Sequence, residues 1–124
     1  MNIQKVAETL DVSADTLRYW ERVGAIPPVP RSQSGYREYD TAALDWCNFA
    51  KCMRAAGVSI EALIEYIALY QVGPQTTDAR KRLLEDQLAT IAAKLQEVQG
   101  TYDRLSEKIA HYGGGGPNPF AHHA

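Results

Sequence analysis

The sequence predicts a mostly α-helical protein: a helix-turn-helix head with a small β-hairpin wing, a connecting helix pair, and a long C-terminal coiled-coil helix. Three observations carry this. Apolar residues recur as Leu84, Leu88, Ile91, Leu95, Val98, Tyr102, Leu105, Ile109 and Tyr112, in alternating steps of four and three. Two short amphipathic segments meet at a tight joint, Asp11-Val12. A proline-rich stretch then leads into a basic loop that contains a glycine.

Ile3 to Leu10 reads as the first helix, with Ile3, Val6, Ala7 and Leu10 on one side and Gln4, Lys5 and Glu8 on the other. Ser13 is then a natural N-cap for a second helix from Ala14 to Val23. Its hydroxyl can accept from a free amide of the first turn, and Gly24 supplies the stop. Leu17 and Trp20, with Val12 from the turn, form the apolar side of this helix. Asp15, Thr16, Arg18, Tyr19 and Arg22 remain as a dense set of groups able to meet phosphates and base edges. Two short helices at a tight turn suggest a helix-turn-helix.

Pro27, Pro28 and Pro30 forbid helix and force an extended chain. From Arg31 to Tyr39 a polar, glycine-containing turn lies between segments carrying Arg31, Tyr36 and Arg37. A short hairpin is therefore expected, with cations beside a flexible tip. Such a loop is ordinarily a solvated surface feature, but directly after a helix-turn-helix it is how a DNA-binding wing is built. Asp40-Thr41 caps a third helix through Ala56, Gly57 ends it, and Ser59 caps a fourth from Ile60 to about Val72. Leu44, Trp46, Phe49, Ala50 and Met53 are spaced for a buried face, as are Ile60, Leu63, Ile64, Ile67 and Leu69. Gly73-Pro74 then breaks the chain.

The final apolar series keeps one narrow seam toward a partner helix, the heptad signature of a coiled coil rather than the wider stripe of a globular surface helix. A helix from about Thr77 to Tyr112 would be roughly 50 Å long at about 1.5 Å per residue. The short remainder of one chain cannot cover it, so homodimerisation is expected, with an intramolecular helical hairpin as the alternative. Gly113 to Ala124 has no apolar period and is expected to be disordered. The expected organisation is a head over 1–39, a connecting pair over 40–73, a dimerisation helix over 74–112 and a tail over 113–124. No repeat beyond the heptads is present.

Composition narrows the function. With 124 residues and 45% hydrophobic content, the chain can build a real if modest core. No apolar run approaches a membrane span, and the opening residues lack a secretory pattern. The expected location is therefore the cytoplasm, with no membrane partner. Thirteen Lys plus Arg against fifteen Asp plus Glu argue against indiscriminate coating of nucleic acid, though not against a localised binding face. Cys47 and Cys52 are too few for a disulfide scaffold. Five residues apart on one helix they diverge by about 140° and cannot bridge. No cofactor and no metal ligand set is expected.

The run from Val12 to Gly24, with Leu17-Arg18-Tyr19-Trp20-Glu21-Arg22 at its centre, then Arg31 and Gly35-Tyr36-Arg37-Glu38-Tyr39, resembles the winged-helix head of MerR-type transcription regulators. The resemblance extends from Asn2 to Tyr112 in architecture, and it implies an antiparallel dimerisation helix. It also implies contacts to double-stranded promoter DNA from Ala14, Asp15, Thr16, Arg18, Tyr19 and Arg22, and from Arg31, Tyr36 and Arg37 of the wing. RNA polymerase is then reached indirectly, by bending and untwisting a promoter whose two elements are badly spaced, in a nucleoid-associated protein. Trp20 departs from the more usual Tyr, and its bulk is assigned to packing rather than to DNA.

The inducer is approached by removing options. Metal-sensing relatives carry cysteines at both ends of the dimerisation helix, and none stands here. Drug-binding relatives carry a large C-terminal domain, and 12 residues after Tyr112 do not form one. An iron-sulfur sensor needs about four cysteine ligands. What remains is Cys52 in the run Phe49 to Tyr66, which looks like the branch responding to aldehydes and other thiol-reactive stress, where a cysteine at this place is the proposed sensor. Lys51 and Arg54 are placed to favour its thiolate, whereas burial and the helix C-terminus would oppose it. Cys47, beside Trp46, reads as structural. An enzyme is not expected, since His111, His122 and His123 lie far from Cys52 in sequence and offer it no acid-base partner. The alternatives kept open are a constitutive or non-covalently controlled repressor and a coiled-coil interaction adaptor.

Overall fold

A computed structural model describes residues 1–114. Five α-helices form in the expected order: α1 Ile3–Leu10, α2 Ala14–Val23, α3 Thr41–Ala55, α4 Ile60–Val72 and α5 Thr77–Gly114. The 3-10 turn Pro74–Thr76 precedes α5. The caps explain most of the boundaries. Ser13 Oγ accepts from Thr16 N at 3.0 Å, Asp40 Oδ1 from Ala43 N at 2.8 Å and Ser59 Oγ from Ala62 N at 3.1 Å. Each cap of this kind contributes about 1 kcal/mol. Gly24 closes α2 in the left-handed region at φ +84°, where a side chain would be strained. Helix α5 runs on through Gly114, past the expected end at Tyr112. The rest of the tail, including His122 and His123, lies outside the described residues.

The chain divides into two compact units, Met1–Gln87 and the residues from Leu88 on. In the first, Val6, Leu10, Leu17, Trp20, Ala25, Ile26, Val29, Tyr39, Ala43, Cys47, Ala50, Val58, Ala62, Leu63 and Ile67 are buried. Trp20 is thus core, as its expected packing role requires. The buried stripe of α3 differs from the expected one: Ala43, Cys47 and Ala50 turn inward, while Leu44, Trp46, Phe49 and Met53 are half-buried. Small residues let α3 approach closely, and the large rings take its rim. There Trp46 packs on Phe49 and Tyr70 with ring centroids 6.0 and 4.9 Å apart.

The wing corrects an expectation. No strand forms among the described residues; the only pairing is the isolated antiparallel bridge Arg31↔Arg37. Ser32 N donates to Tyr36 O at 2.7 Å and Glu38 N to Pro30 O at 2.8 Å, with Gly35 at φ +86° in the turn. The ladder stops because the next amides are engaged elsewhere. Val29 N donates to Glu21 Oε2 at 2.7 Å, and Tyr39 N donates to Met1 O at 2.7 Å.

In the second unit α5 is helical throughout, and Leu88, Leu95, Val98, Tyr102, Leu105, Ile109 and Tyr112 are exposed in the single chain. Ile91 is half-buried. Leu84 belongs to the first unit, where it lines an apolar groove with Phe49, Met53, Leu63 and Tyr66.

Candidate nucleic-acid interface

The site is built outward from α2. Leu17 and Trp20 anchor its inner side, worth about 1.5–3 kcal/mol each when fully buried. Between α2, the start of α1 and the wing opens a cleft lined by Asn2, Ile3, Gln4, Arg18, Arg31, Gly35, Tyr36 and Arg37. Three guanidinium groups line this one concavity, with the Asp15 and Glu21 carboxylates beside them as counter-charges, so three cations stand against two anions in a chain whose net charge is −2. Tyr36 is 76% exposed at the tip of the wing.

The other expected contacts are distributed differently. Thr16 and Tyr19 line a second cleft with Trp20, Arg54 and Ile60. Arg22 stacks over the Tyr19 ring at 5.4 Å. Arg18 Nη1 donates to Asp15 Oδ1 at 2.9 Å, a surface pair that orients Arg18 more than it stabilises the fold. Ala14 is half-buried in the first turn of α2 and lines neither cleft.

Glu21 was not legible as part of this site. Its carboxylate accepts from Val29 N at 2.7 Å and from Arg37 Nε at 2.6 Å, and lies 3.5 Å from Arg31 Nη2. Its partners follow it by eight, ten and sixteen residues, a spacing that no local rule reads. Burial pushes this carboxyl up, but the Val29 amide and the Arg37 and Arg31 cations outweigh burial and hold it below 4.5. With the folded pKa depressed, Glu21 stabilises the fold fully above the unfolded value and loses that contribution as pH falls through the folded one. The thermal midpoint is therefore expected to drop on acidification from about pH 6 to about pH 3. Glu21→Gln should drop by less over the same range, and paired melting curves check this.

The two cysteines occupy opposite environments. Cys47 is fully buried, and burial, with the Glu21 carboxylate, pushes its thiol up to about 12. Cys52 is exposed, so the burial that the sequence left open for it does not occur. Arg54 donates from Nη1 to Val58 O at 2.7 Å and ties α3 to the α3–α4 joint. Among the described residues no group of histidine, cysteine and carboxylate side chains is placed to hold a metal ion. No described helix is long and apolar enough to cross a membrane.

A capped second helix presenting cations, beside a basic turn that shares its cleft, defines a DNA-binding helix-turn-helix protein. Comparison with known proteins makes the class specific. The family model described as MerR HTH family regulatory protein matches residues 1–69, and that described as MerR, DNA binding matches residues 44–108. The chain belongs to the MerR family of DNA-binding transcription regulators and is not an enzyme. It is 55% identical over 87 residues to the HTH-type transcriptional regulator AdhR of Bacillus subtilis, an alignment covering 70% of this chain and 62% of AdhR. Its fold is similar to that of a protein from Listeria monocytogenes assigned to the MerR family, with TM-score 0.88, 44% identity, and 92% and 86% of the two chains covered. It is also similar to HiNmlR, a MerR family regulator lacking the sensor domain, solved bound to promoter DNA. That match has TM-score 0.81 and 28% identity, and covers 90% and 88% of the two chains.

Proposed function

We propose that the protein is a homodimeric regulator that grips promoter DNA with two winged heads and activates transcription by distorting the promoter in response to an electrophile. The observation that carries the DNA part is the cleft in which Arg18 of α2 meets Arg31, Tyr36 and Arg37 of the wing. Cations there meet phosphates, and the exposed side of α2 meets base edges in the major groove. Two heads related by a two-fold axis then fit half-sites separated by whole helical turns. The exposed seam of α5 supports the dimer, because a single chain rarely leaves so long an apolar series in water. RNA polymerase is affected through the DNA, since bending and untwisting alter how its two recognition elements face one another.

The electrophile part rests on Cys52 and the run around it. Its exposed thiol can add through sulfur to the carbonyl carbon of formaldehyde, the thiol proton passing to the carbonyl oxygen to give an S-hydroxymethyl group. A footprint of the purified protein on the DNA upstream of its own coding sequence tests the promoter reading, and absence of any protected segment would overturn it.

Contacts are separated by substitution. Arg37→Ala is expected to weaken binding across sequences and to lower the salt slope by about one per head, as loss of a phosphate contact does. Arg18→Ala should also relax base preference, by about 1–3 kcal/mol at the position it reads. Titrations at several salt concentrations check both; wild-type affinity in both variants would remove the contact assignment.

A further inference from the structure

We infer that Glu21, an acidic residue in a DNA-binding head, is the positioning residue that orients Arg37 of the wing for its phosphate contact. It holds the wing at Arg31 at the base and Arg37 on the returning segment, and the chain leading into it at the Val29 amide. Its side chain is only 11% exposed, so it is held between α2 and the wing rather than reaching toward solvent. The wing has a single backbone bridge, and one bridge leaves a turn free to tilt. Three contacts to one carboxylate on α2 supply the constraint that a longer ladder would otherwise give.

The atom used on Arg37 sharpens the point. A guanidinium is a planar fork of five N–H groups, and engagement of Nε by Glu21 leaves the terminal Nη1 and Nη2 edge for another anion. Glu21 thereby fixes the plane of Arg37 at the border of the cleft that also holds Arg18 and Arg31. Ordering that fork before DNA arrives removes an entropic cost from the bound state. A carboxylate among phosphate-binding cations would otherwise only weaken DNA binding, by neutralising them. Positioning and neutralisation therefore predict opposite signs for its removal.

The inference rests on the proposal that Arg37 meets phosphate, and the test keeps the two apart. The full-length protein is titrated with a duplex that the wild type selects from a random-sequence pool, and with a scrambled duplex of the same length and composition. Failure of the wild type to select any duplex would strike the DNA reading itself. Glu21→Gln keeps an oxygen for the Val29 amide and loses the charge. It is expected to bind both duplexes about tenfold more weakly, in line with the loss of one well-placed phosphate contact, whereas neutralisation alone would make its removal tighten both. In an Arg37→Ala background Glu21→Gln should cost nothing further on the selected duplex. Arg37→Lys retains the cation without the fork and should reproduce the loss of affinity on both duplexes, which keeps the test available if Glu21→Gln folds poorly. Tighter binding of Glu21→Gln to either duplex, wild-type affinity on both, or additive losses in the double variant would each overturn the inference.

Discussion

Leu95→Asp is expected to convert the proposed homodimer into monomers. Leu95 lies in the middle of the α5 series and is 66% exposed in the single chain, so a partner must cover it for the seam to work. Each copy would lose about 1.5–3 kcal/mol of leucine burial. Each would also bury a carboxylate with no cation in the seam, and the uncompensated charge costs several kcal/mol more. By two-fold symmetry the change occurs twice. At about 1.4 kcal/mol per tenfold, the dissociation constant of the dimer should rise by at least about three orders of magnitude. Binding to a two-half-site operator should fall with it, because two linked heads no longer share one site. Gln96→Asp, one residue on and outside the seam, should leave the dimer intact. Sedimentation equilibrium decides the matter, and a dimeric Leu95→Asp protein would remove the heptad assignment.

Cys52→Ala is expected to bind operator DNA normally and to lose induction by formaldehyde altogether, remaining at the level of the uninduced wild type. The thiol stands on the exposed side of α3, about 140° around the helix from the fully buried Cys47. One turn beyond it the chain is tightly bonded: Ala56 N donates to Cys52 O at 3.1 Å and Val58 N to Met53 O at 2.9 Å. Arg54 closes the same joint through Val58 O. An adduct on an exposed face acts where that face meets another surface, and the stiff joint then passes the displacement on as movement of whole helices. Binding and activation should therefore separate. Cys47→Ser should respond normally, although an unpartnered buried hydroxyl would cost about 1–3 kcal/mol of stability. Reporter assays on both variants, with intact-mass measurement of the adduct, provide the check. Full induction without Cys52 would end the thiol mechanism.

What the sequence determined by itself is local. Helix limits follow from Ser13, Asp40 and Ser59 as caps and from Gly24 and the Gly73-Pro74 break, because a cap acts within one turn and a breaker at its own residue. The α5 series follows from period alone, and the grouping of Arg18 with Arg31, Tyr36 and Arg37 followed once the wing had been placed after the second helix. Tertiary structure decided whatever depends on a distant partner. The wing forms one bridge because Glu21 and Met1 take the amides that a second pair would have used. Ala43, Cys47 and Ala50, not the larger residues beside them, face the core, because helix approach is limited by side-chain size and the rings fit only at the rim. Arg54 is bonded to the Val58 carbonyl, and Glu21 gathered the wing, because a charged group takes the strongest fixed partner that the folded chain brings within reach.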